Sequence, residues 1–272
     1  MIAGAAPAPQ IAIRDLRLEY RPAQGDPILA VDGVDLIVPA RRFVSIIGPS
    51  GCGKSTLLKV ISRVVRASEG TVDIDGVPVA DVEFGGRLSF MFQQPLLLPW
   101  RSVLKNVLLP LEIQDKKISP EANARALGLL DMVGLAGVRD LLPHQLSGGM
   151  RQRVALARAL VTGPEILLMD EPFGAVDEIT REALQEELLR IWQEKQTTIV
   201  LVTHHIEEAV LLSDEVVVLS ERPGRVVEVV DVDLPRPRDA EVRERQQFHH
   251  VVAHLRALLR PGATAVASGE IR

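Results

Sequence analysis

The strongest chemical feature of the sequence is a glycine-rich segment that contains a lysine and two hydroxyl side chains. Residues 48–55 read GPSGCGKS, which fits the phosphate-loop pattern GxxxxGK[ST] between an apolar segment and a helix start. Glycines let backbone N–H groups turn toward phosphate oxygens, and the helix N-terminus adds partial positive charge. Lys54 is then expected to reach the β- and γ-phosphates, and the Ser55 hydroxyl to ligate Mg²⁺. The strand-like and helical flanks disfavour the alternative, a glycine-rich turn that matches by chance. The expected phosphate-binding residues are Gly48, Pro49, Ser50, Gly51, Cys52, Gly53, Lys54, Ser55 and Thr56.

An acidic pair supplies the second half of the predicted nucleotide site. Asp170 and Glu171 follow four apolar residues, 166–169, which predict a buried strand. Such a strand delivers its last residues to the carboxyl edge of a sheet, where α/β proteins bind ligands. There Asp170 is expected to hold Mg²⁺, and Glu171 to polarise the attacking water as general base. An isolated Asp-Glu pair is often a solvated turn, but beside a phosphate loop it favours nucleotide hydrolysis.

A third motif narrows the class of protein. Residues 146–150 read LSGGM and precede a helical pattern, so Ser147, Gly148 and Gly149 present a hydroxyl and free N–H groups to an anion. The alternative is that Ser147 only caps the helix. With this motif the chain resembles the ATP-binding cassette family over about residues 11–225. The resemblance implies that the three residues contact ATP held by a second copy of the chain, because two cassettes sandwich two ATP molecules.

The resemblance assigns four further residues. Gln93 matches the glutamine that contacts Mg²⁺ and the water, and His204 matches the histidine that contacts the γ-phosphate. Asp177 matches an aspartate at the dimer seam, although a lone aspartate there is also a good helix N-cap. Tyr20 is expected to stack on adenine, the alternative being a half-buried strand residue. The implied catalytic set is therefore Glu171, His204, Lys54 and Gln93, and the implied Mg²⁺ ligands are Ser55, Gln93 and Asp170.

Departures from the family pattern leave this chemistry in place. His205 stands where aspartate usually follows the histidine, Val176 stands where leucine is usual, and residues 40–42 read ARR where Gly-Glu is common. Every residue expected to touch phosphate, magnesium or water is present, so an active ATPase is expected.

A second group of residues suggests what the ATPase drives. Residues 93–100 read QQPLLLPW, an apolar run that is awkward as a solvent-exposed loop. In the family this region helps to receive a helix of a membrane permease, which makes Leu98, Trp100 and Val103 candidate docking residues; alternatively, the leucines fill an interface between subdomains. Together with the segments 143–153, 169–175 and 220–224, the run is similar to nitrate, sulfonate and taurine importer ATPases. The implied partners are a second copy, permease subunits at the cytoplasmic face of the inner membrane and, indirectly, a solute-binding protein.

The sequence disfavours two other classes of function. A cassette that acts on nucleic acid or the ribosome usually carries coiled coils or a tandem cassette, and the net charge of −5 does not favour nucleic acid as a partner. A P-loop kinase would leave residues 146–150 unexplained.

Alternating strand and helix patterns must position these motifs. Residues 11–20, 28–38, 42–48 and 70–79 have strand patterns, helical spacing dominates 100–160, and strand–helix alternation then returns to residue 219. The predicted fold class is α/β, a P-loop NTPase (RecA-like) core with an N-terminal antiparallel β subdomain and an inserted α-helical subdomain.

The domain prediction divides the chain into three parts. Residues 1–10 are expected to be a disordered tail and 11–235 the ATPase domain, with 11–94 and 162–235 forming the β subdomain and core and 95–161 the helical subdomain. Residues 236–272 are predicted to be a helical tail with one apolar stripe. No apolar run is long enough for a spanning helix, which predicts a cytoplasmic chain.

Two minor features complete the prediction. Cys52, the single cysteine, lies near a helix N-terminus that is expected to lower its pKa and make it reactive. His250 and His254 stand four apart on a helix, and a solvated face is favoured over a metal site because no carboxylate or cysteine set lies nearby in sequence.

Overall fold

The computed structural model describes residues 9–22, 25–115 and 117–260. The chain forms two compact units: unit 1 comprises the chain up to Val82 and from Thr198 on, and unit 2 is Glu83–Thr197. Unit 2 is therefore larger than the predicted helical subdomain, 95–161. The extra residues belong with it because they contribute a pair of strands that hydrogen-bond to each other, and a long helix.

The secondary structure alternates between strands and helices along the chain. Unit 1 begins with β1 (Pro9–Tyr20), β2 (Ile28–Pro39), β3 (Phe43–Ile47), α1 (Lys54–Ile61), β4 (Glu69–Ile74) and β5 (Val77–Pro78). Unit 2 contains β6 (Leu88–Met91), α2 (Val103–Asp115), α3 (Pro120–Met132), α4 (Gly148–Leu160), β7 (Ile166–Asp170) and α5 (Glu178–Lys195). Unit 1 resumes with β8 (Thr198–Val202), α6 (Ile206–Leu212), β9 (Glu215–Leu219), β10 (Val226–Asp231) and α7 (Gln246–Leu258).

Unit 1 contains an antiparallel sheet in the order β2-β1-β4-β5, which confirms the predicted antiparallel subdomain. Its other strands run in the order β10-β9-β3-β8, with β3 parallel to both β8 and β9 and with β10 antiparallel to β9. Every residue of β3 and β8 is buried. Continuous apolar strands of this kind are buried on both faces, and they hold the loops at their carboxyl ends in fixed positions.

Unit 2 combines one parallel strand pair with helices. β6 pairs with β7 in register from Leu88 opposite Ile166 to Met91 opposite Met169. The predicted apolar stripe on α3 includes Ala126 and Leu130, both fully buried. All five residues of β7 are buried, so this strand is a rigid support for the residues that follow it.

The N-terminal end of the chain departs from the predicted tail, whereas the C-terminal helix lies within the segment predicted to be a helical tail. Residues 1–8 and 261–272 lie outside the described residues. β1 begins at Pro9, and the buried Gln10 side chain accepts a hydrogen bond from the Thr198 hydroxyl, so the predicted N-terminal tail, 1–10, is too long by two residues. The C-terminal helix α7 buries Phe248, Val252 and Leu255 in a cluster with residues of α6 and β9.

Candidate functional site

The phosphate-loop residues connect β3 to α1 within unit 1. Gly51 and Gly53 have φ angles of +75° and +105°, a region that favours glycine. At Gly53 a Cβ atom would also lie 2.8 Å from the carbonyl oxygen of Ala30 on β2. Since α1 begins at Lys54, the loop ends at the N-terminal turn of a helix, where backbone N–H groups have no intrahelical acceptor. This geometry suits an anion.

The Lys54 side chain folds back over the loop. Its Nζ donates hydrogen bonds to the carbonyl oxygens of Gly48 at 2.8 Å and Pro49 at 2.9 Å, and the residue is buried. The loop therefore holds a cation in its own concavity. In this position the ammonium group is ready to exchange carbonyl oxygens for phosphate oxygens.

Cys52 is buried, which contradicts the prediction of a reactive thiol. Burial raises the pKa of the Cys52 thiol, and this effect outweighs the lowering by the Lys54 ammonium and by hydrogen bonds to the backbone. The helix N-terminus is close in sequence, but desolvation of a thiolate is the larger effect.

Tyr20 ends β1 and lies beside α1. Its hydroxyl is 3.3 Å from the Thr56 hydroxyl, and its side chain is 38% exposed. The ring thus keeps a free area while its position is fixed by α1. Both interpretations from the sequence, an adenine platform and a half-buried strand residue, agree with this placement.

His204 follows β8 and is exposed. Its ring stacks on that of His205, with centroids 4.0 Å apart and planes tilted by 38°. The backbone N–H of His205 donates to the Thr203 hydroxyl, which fixes the turn between β8 and α6. His205, which departs from the family pattern, therefore restricts the position of the His204 ring.

In unit 2 the structure brings Gln93 and Glu171 together. Asp170 is the last residue of β7 and is 3% exposed, and Glu171 follows it with a φ of +47°, which is uncommon for a residue with a side chain. The Gln93 amide nitrogen donates to the Glu171 carboxylate at 3.1 Å. A strained backbone and an amide donor together aim this carboxylate, as expected of a base that must be held in one orientation.

Gln152, which the sequence analysis did not single out, also supports Glu171. It is 2% exposed on α4, and its amide nitrogen lies 3.4 Å from the carbonyl oxygen of Glu171. The only sequence signal is a glutamine on the apolar face of the helix that follows the LSGGM motif. A buried polar side chain requires a partner, and here the partner is the backbone of the candidate base.

The LSGGM motif and Asp177 both begin helices. The Ser147 hydroxyl accepts from the Met150 N–H at 3.2 Å as the N-cap of α4, and Asp177 accepts from the Thr180 N–H at 3.0 Å as the N-cap of α5. The hydrogen bond from the Thr180 backbone lowers the pKa of Asp177. At Gly149 a Cβ atom would lie 3.0 Å from the Ala175 carbonyl oxygen, so a small residue keeps these two segments close.

The apolar loop that follows Gln93 is held by two polar side chains. Asn106 is fully buried and bonds both backbone groups of Leu98, while Arg158 of α4 donates to the carbonyl oxygens of Pro95 and Leu96. Burial lowers the pKa of Arg158. Trp100 remains 74% exposed on this fixed loop. A rigid loop that presents an indole to solvent is typical of a docking surface.

Among the other candidate docking residues, one prediction is wrong. Val103 is fully buried at the start of α2, where its N–H donates to the Leu141 carbonyl, so it has no surface to offer a partner. Leu98 is half-buried, and Leu96 is 54% exposed.

The described residues contain no group of three or more His, Cys, Asp or Glu side chains arranged to hold a metal ion. His254 contacts the Glu228 carboxylate at 2.8 Å, a neighbour that sequence spacing did not indicate. Within the described ranges, every helix is too short or too polar to span a bilayer.

Comparison with protein families and curated proteins identifies relatives that cover most of the chain. The ABC transporter family model matches residues 31–174. The taurine import ATP-binding protein TauB of Rhizobium johnstonii is 46% identical over 86% of this chain and 90% of its own length. An aliphatic sulfonates import ATP-binding protein, SsuB 1 of Mesorhizobium japonicum, is 49% identical over 79% of this chain and 77% of its own. The nitrate import ATP-binding protein NrtD of Synechococcus elongatus is 42% identical over 81% and 80%.

A solved structure has the same fold. The dimeric structure of MJ0796, described as a bacterial ABC transporter cassette, superposes with a TM-score of 0.76 at 35% identity and covers 83% of this chain and all of that one. The same cassette bound to ADP and phosphate in a post-hydrolysis state gives a TM-score of 0.75 at 34% identity over the same shares of the two chains.

Proposed function

Because the chain belongs to the ABC transporter family and hydrolyses ATP, we propose that it is the ATP-driven subunit of an importer for a small sulfonate or oxyanion. The observation that carries this proposal is the contact between the Gln93 amide and the Glu171 carboxylate at the end of a buried strand. This contact supports the proposal because it joins a candidate base to Gln93, the residue that begins the loop with the candidate docking residues.

The phosphate loop and Lys54 bind the triphosphate in this proposal. Backbone N–H groups at the start of α1 and the Lys54 ammonium donate to phosphate oxygens, and Tyr20 packs on the adenine ring. The Ser55 hydroxyl, the Gln93 amide oxygen and the Asp170 carboxylate are hard oxygen donors of the kind that Mg²⁺ prefers. When bound with ATP, Mg²⁺ neutralises charge on the phosphates.

Glu171 accepts the proton from the attacking water. Gln93 and the positive φ of Glu171 orient its carboxylate, and His204 donates a hydrogen bond to the γ-phosphate as charge moves onto it. These groups act on the transition state, so their loss lowers kcat, whereas loss of Lys54 weakens nucleotide binding.

A second copy of the chain completes the site in this proposal. Ser147, Gly148 and Gly149 open α4 and donate to the γ-phosphate held by the partner copy, while Asp177 lies at the seam between the copies. The Ser147 hydroxyl accepts from the Met150 N–H through its oxygen, and a hydroxyl that accepts one bond can donate its hydrogen to a phosphate oxygen.

In this proposal the exposed apolar loop, residues 93–100, couples ATP binding and hydrolysis to a permease. We place the protein at the cytoplasmic face of the membrane, bound to permease subunits through Trp100 and Leu96, with a solute-binding protein as an indirect partner. The names of the relatives indicate the substrate class, which is taurine, another sulfonate or nitrate. No observation favours the alternative, a cassette that acts on nucleic acid or the ribosome.

Reconstitution with the permease tests the proposal. In proteoliposomes that also receive the solute-binding protein, ATP-dependent uptake of taurine, an alkanesulfonate or nitrate is expected for the wild type. Trp100→Ala is expected to lower uptake at least about tenfold, because a central aromatic side chain contributes about 2 kcal/mol or more to an interface. Its ATPase rate without the permease is expected to stay at the wild-type value.

The matched control is Ile37→Ala, which removes an apolar side chain that is 59% exposed on β2 of unit 1. Uptake by this variant is expected to equal that of the wild type. Absence of uptake for all three solutes, or equal loss in both variants, would contradict the proposed function.

A further inference from the structure

The turn between β9 and β10, residues 220–225 (SERPGR), lies against the phosphate loop within unit 1. Its own hydrogen bonds close it: the Ser220 N–H donates to the Arg225 carbonyl at 2.9 Å, and the Arg225 N–H donates to the Ser220 hydroxyl at 3.0 Å. Sequence comparison gave this segment only as a mark of resemblance, with no role in the chemistry.

The β9–β10 turn is anchored on β2 by its backbone. The Gly224 N–H donates to the Ala30 carbonyl at 3.0 Å, and the Asp32 N–H donates to the Gly224 carbonyl at 3.1 Å. Arg225 adds a surface ion pair with Asp32. The position of the turn therefore does not depend on the Arg222 side chain.

Two residues of the turn meet two consecutive carbonyl groups of the loop. The Arg222 Nε donates to the Gly51 carbonyl oxygen at 3.1 Å. Gly224 approaches Cys52 so closely that a Cβ atom there would lie 2.0 Å from the Cys52 carbonyl oxygen. The turn thus covers the outer side of the loop at Gly51 and Cys52.

These contacts decide where the loop N–H groups point. A trans peptide group is planar and places its C=O and N–H on opposite sides, so a Gly51 carbonyl held outward turns the Cys52 N–H inward. The Cys52 N–H donates to the Pro49 carbonyl oxygen within the loop, with the nitrogen 3.4 Å from that oxygen. A charged donor on the carbonyl also polarises the peptide group and strengthens its N–H as a donor.

We propose that Arg222 is a positioning residue for ATP binding: its guanidinium group fixes the Gly51–Cys52 peptide so that the Cys52 N–H donates to a phosphate oxygen. The inference rests on the proposed role of the loop in binding ATP. It assigns Arg222 no contact with the nucleotide and no part in the hydrolysis step.

Titration of the full-length protein with a fluorescent methylanthraniloyl-ATP analogue tests this role. Arg222→Ala is expected to weaken binding about 3- to 10-fold, the range for losing one hydrogen bond from a charged donor at a partly exposed site. KM for ATP rises by the same factor, while kcat stays within about twofold because Glu171 is untouched. Arg222→Lys keeps a charged donor and is expected to recover most of the affinity.

Two further variants separate positioning from a general loss of structure. Arg225→Ala removes a neighbouring arginine that bonds Asp32 and not the phosphate loop. The affinity of this variant for the ATP analogue is therefore expected to equal that of the wild type. Gly224→Ala keeps Arg222 but forces the turn away from Cys52. Like Arg222→Ala, it is expected to weaken binding of the ATP analogue. Far-UV circular dichroism of each variant verifies folding.

The outcomes are distinguishable. Wild-type affinity for Arg222→Ala, an equal loss for Arg225→Ala, or a lower kcat at unchanged KM overturns the inference. If the wild type does not bind the analogue, or if Lys54→Ala binds it as tightly as the wild type, the proposed function fails and the inference fails with it.

Discussion

At the residue scale, the phosphate loop supplies two hydrogen-bond acceptors for its own lysine. The Lys54 ammonium occupies the carbonyl oxygens of Gly48 and Pro49 at 2.8 and 2.9 Å, so nucleotide binding exchanges two neutral acceptors for phosphate oxygens. Bonds between charged partners are shorter and stronger than those to carbonyls, which favours the exchange. The sequence predicted the phosphate-binding role of Lys54 from its spacing to the glycines, because the whole motif lies within residues 48–55.

Cys52 gives the first prediction at this scale. Because the thiol is buried and its pKa is raised, the thiolate fraction near pH 8 is smaller than that of a free cysteine, and access is also restricted. Alkylation by N-ethylmaleimide at pH 8 is expected to be at least about 100-fold slower in the native protein than in urea, and to accelerate as the pH rises through the pKa. Mass spectrometry measures it directly, since the chain has one cysteine.

The control for the thiol is the same protein in urea, where labelling must be complete within minutes. Rapid labelling of the native protein that MgATP blocks would contradict this prediction and support a reactive Cys52, as its position in the sequence alone suggested. That suggestion considered only the helix N-terminus; the burial depends on how the loop packs in the folded chain, which local spacing does not reveal.

At the scale of elements, the C-terminal segment is held by one buried arginine. Arg238 is 4% exposed, and it donates to carbonyl oxygens at the end of α6, including those of Val210 and Leu211. Through its other terminal nitrogen it donates to Val232 and Leu234 beyond β10. Burial lowers its pKa to about 10, so the side chain is still charged at neutral pH. Arg238 donates to the last carbonyl oxygens of α6, which have no N–H donor within the helix.

Removal of this side chain is expected to be costly. Arg238→Met leaves several buried carbonyl oxygens without donors, and we expect the free energy of unfolding to fall by about 3 kcal/mol. Urea denaturation measures the change. The matched control is Arg256→Met, which removes an exposed ion pair with Glu207 and is expected to cost less than about 1 kcal/mol. Equal costs for the two variants would show that Arg238 is not the anchor.

Elements with a strong local pattern could be predicted, and those with a weak one could not. The apolar stripe of α7 and the continuous apolar runs of β3, β7 and β8 were evident in the sequence because each buries one face or both. β10 was missed, since only partly buried residues alternate with exposed ones along it and its support comes from pairing with β9. The bounds of unit 2 do not follow from a local pattern, because β6 pairs with β7, far away in the sequence.

At the scale of the whole molecule, the motifs were predictable and the contacts between distant motifs were not. Gln93 and Glu171 are separated by 78 residues and Arg222 and Gly51 by 171, and only folding brings each pair together. The family resemblance supplied the role of Gln93 but gave no role to Gln152 or Arg222. Burial also removed Val103 from the docking surface, because the side of α2 that faces the interior is fixed by packing.

The proposed hydrolysis of ATP by a pair of chains depends on Glu171. Glu171→Gln keeps the shape of the side chain and its contact with Gln93 but removes the base, so steady-state ATP hydrolysis is expected to fall at least about 100-fold, within the range of general acid–base catalysis. ATP binding is expected to remain, because the phosphate loop is unchanged. The bound, unhydrolysed nucleotide should then hold two copies together.

Light scattering coupled to size exclusion, with the ATPase rate measured on the same sample, tests whether Glu171 is the base and whether two copies pair on ATP. With MgATP, Glu171→Gln is predicted to elute at twice the mass of one chain and to release almost no phosphate, while the wild type turns over. Hydrolysis by the variant at the wild-type rate would show that Glu171 is not the base, and a single-chain mass at saturating MgATP would show that ATP does not pair the chains.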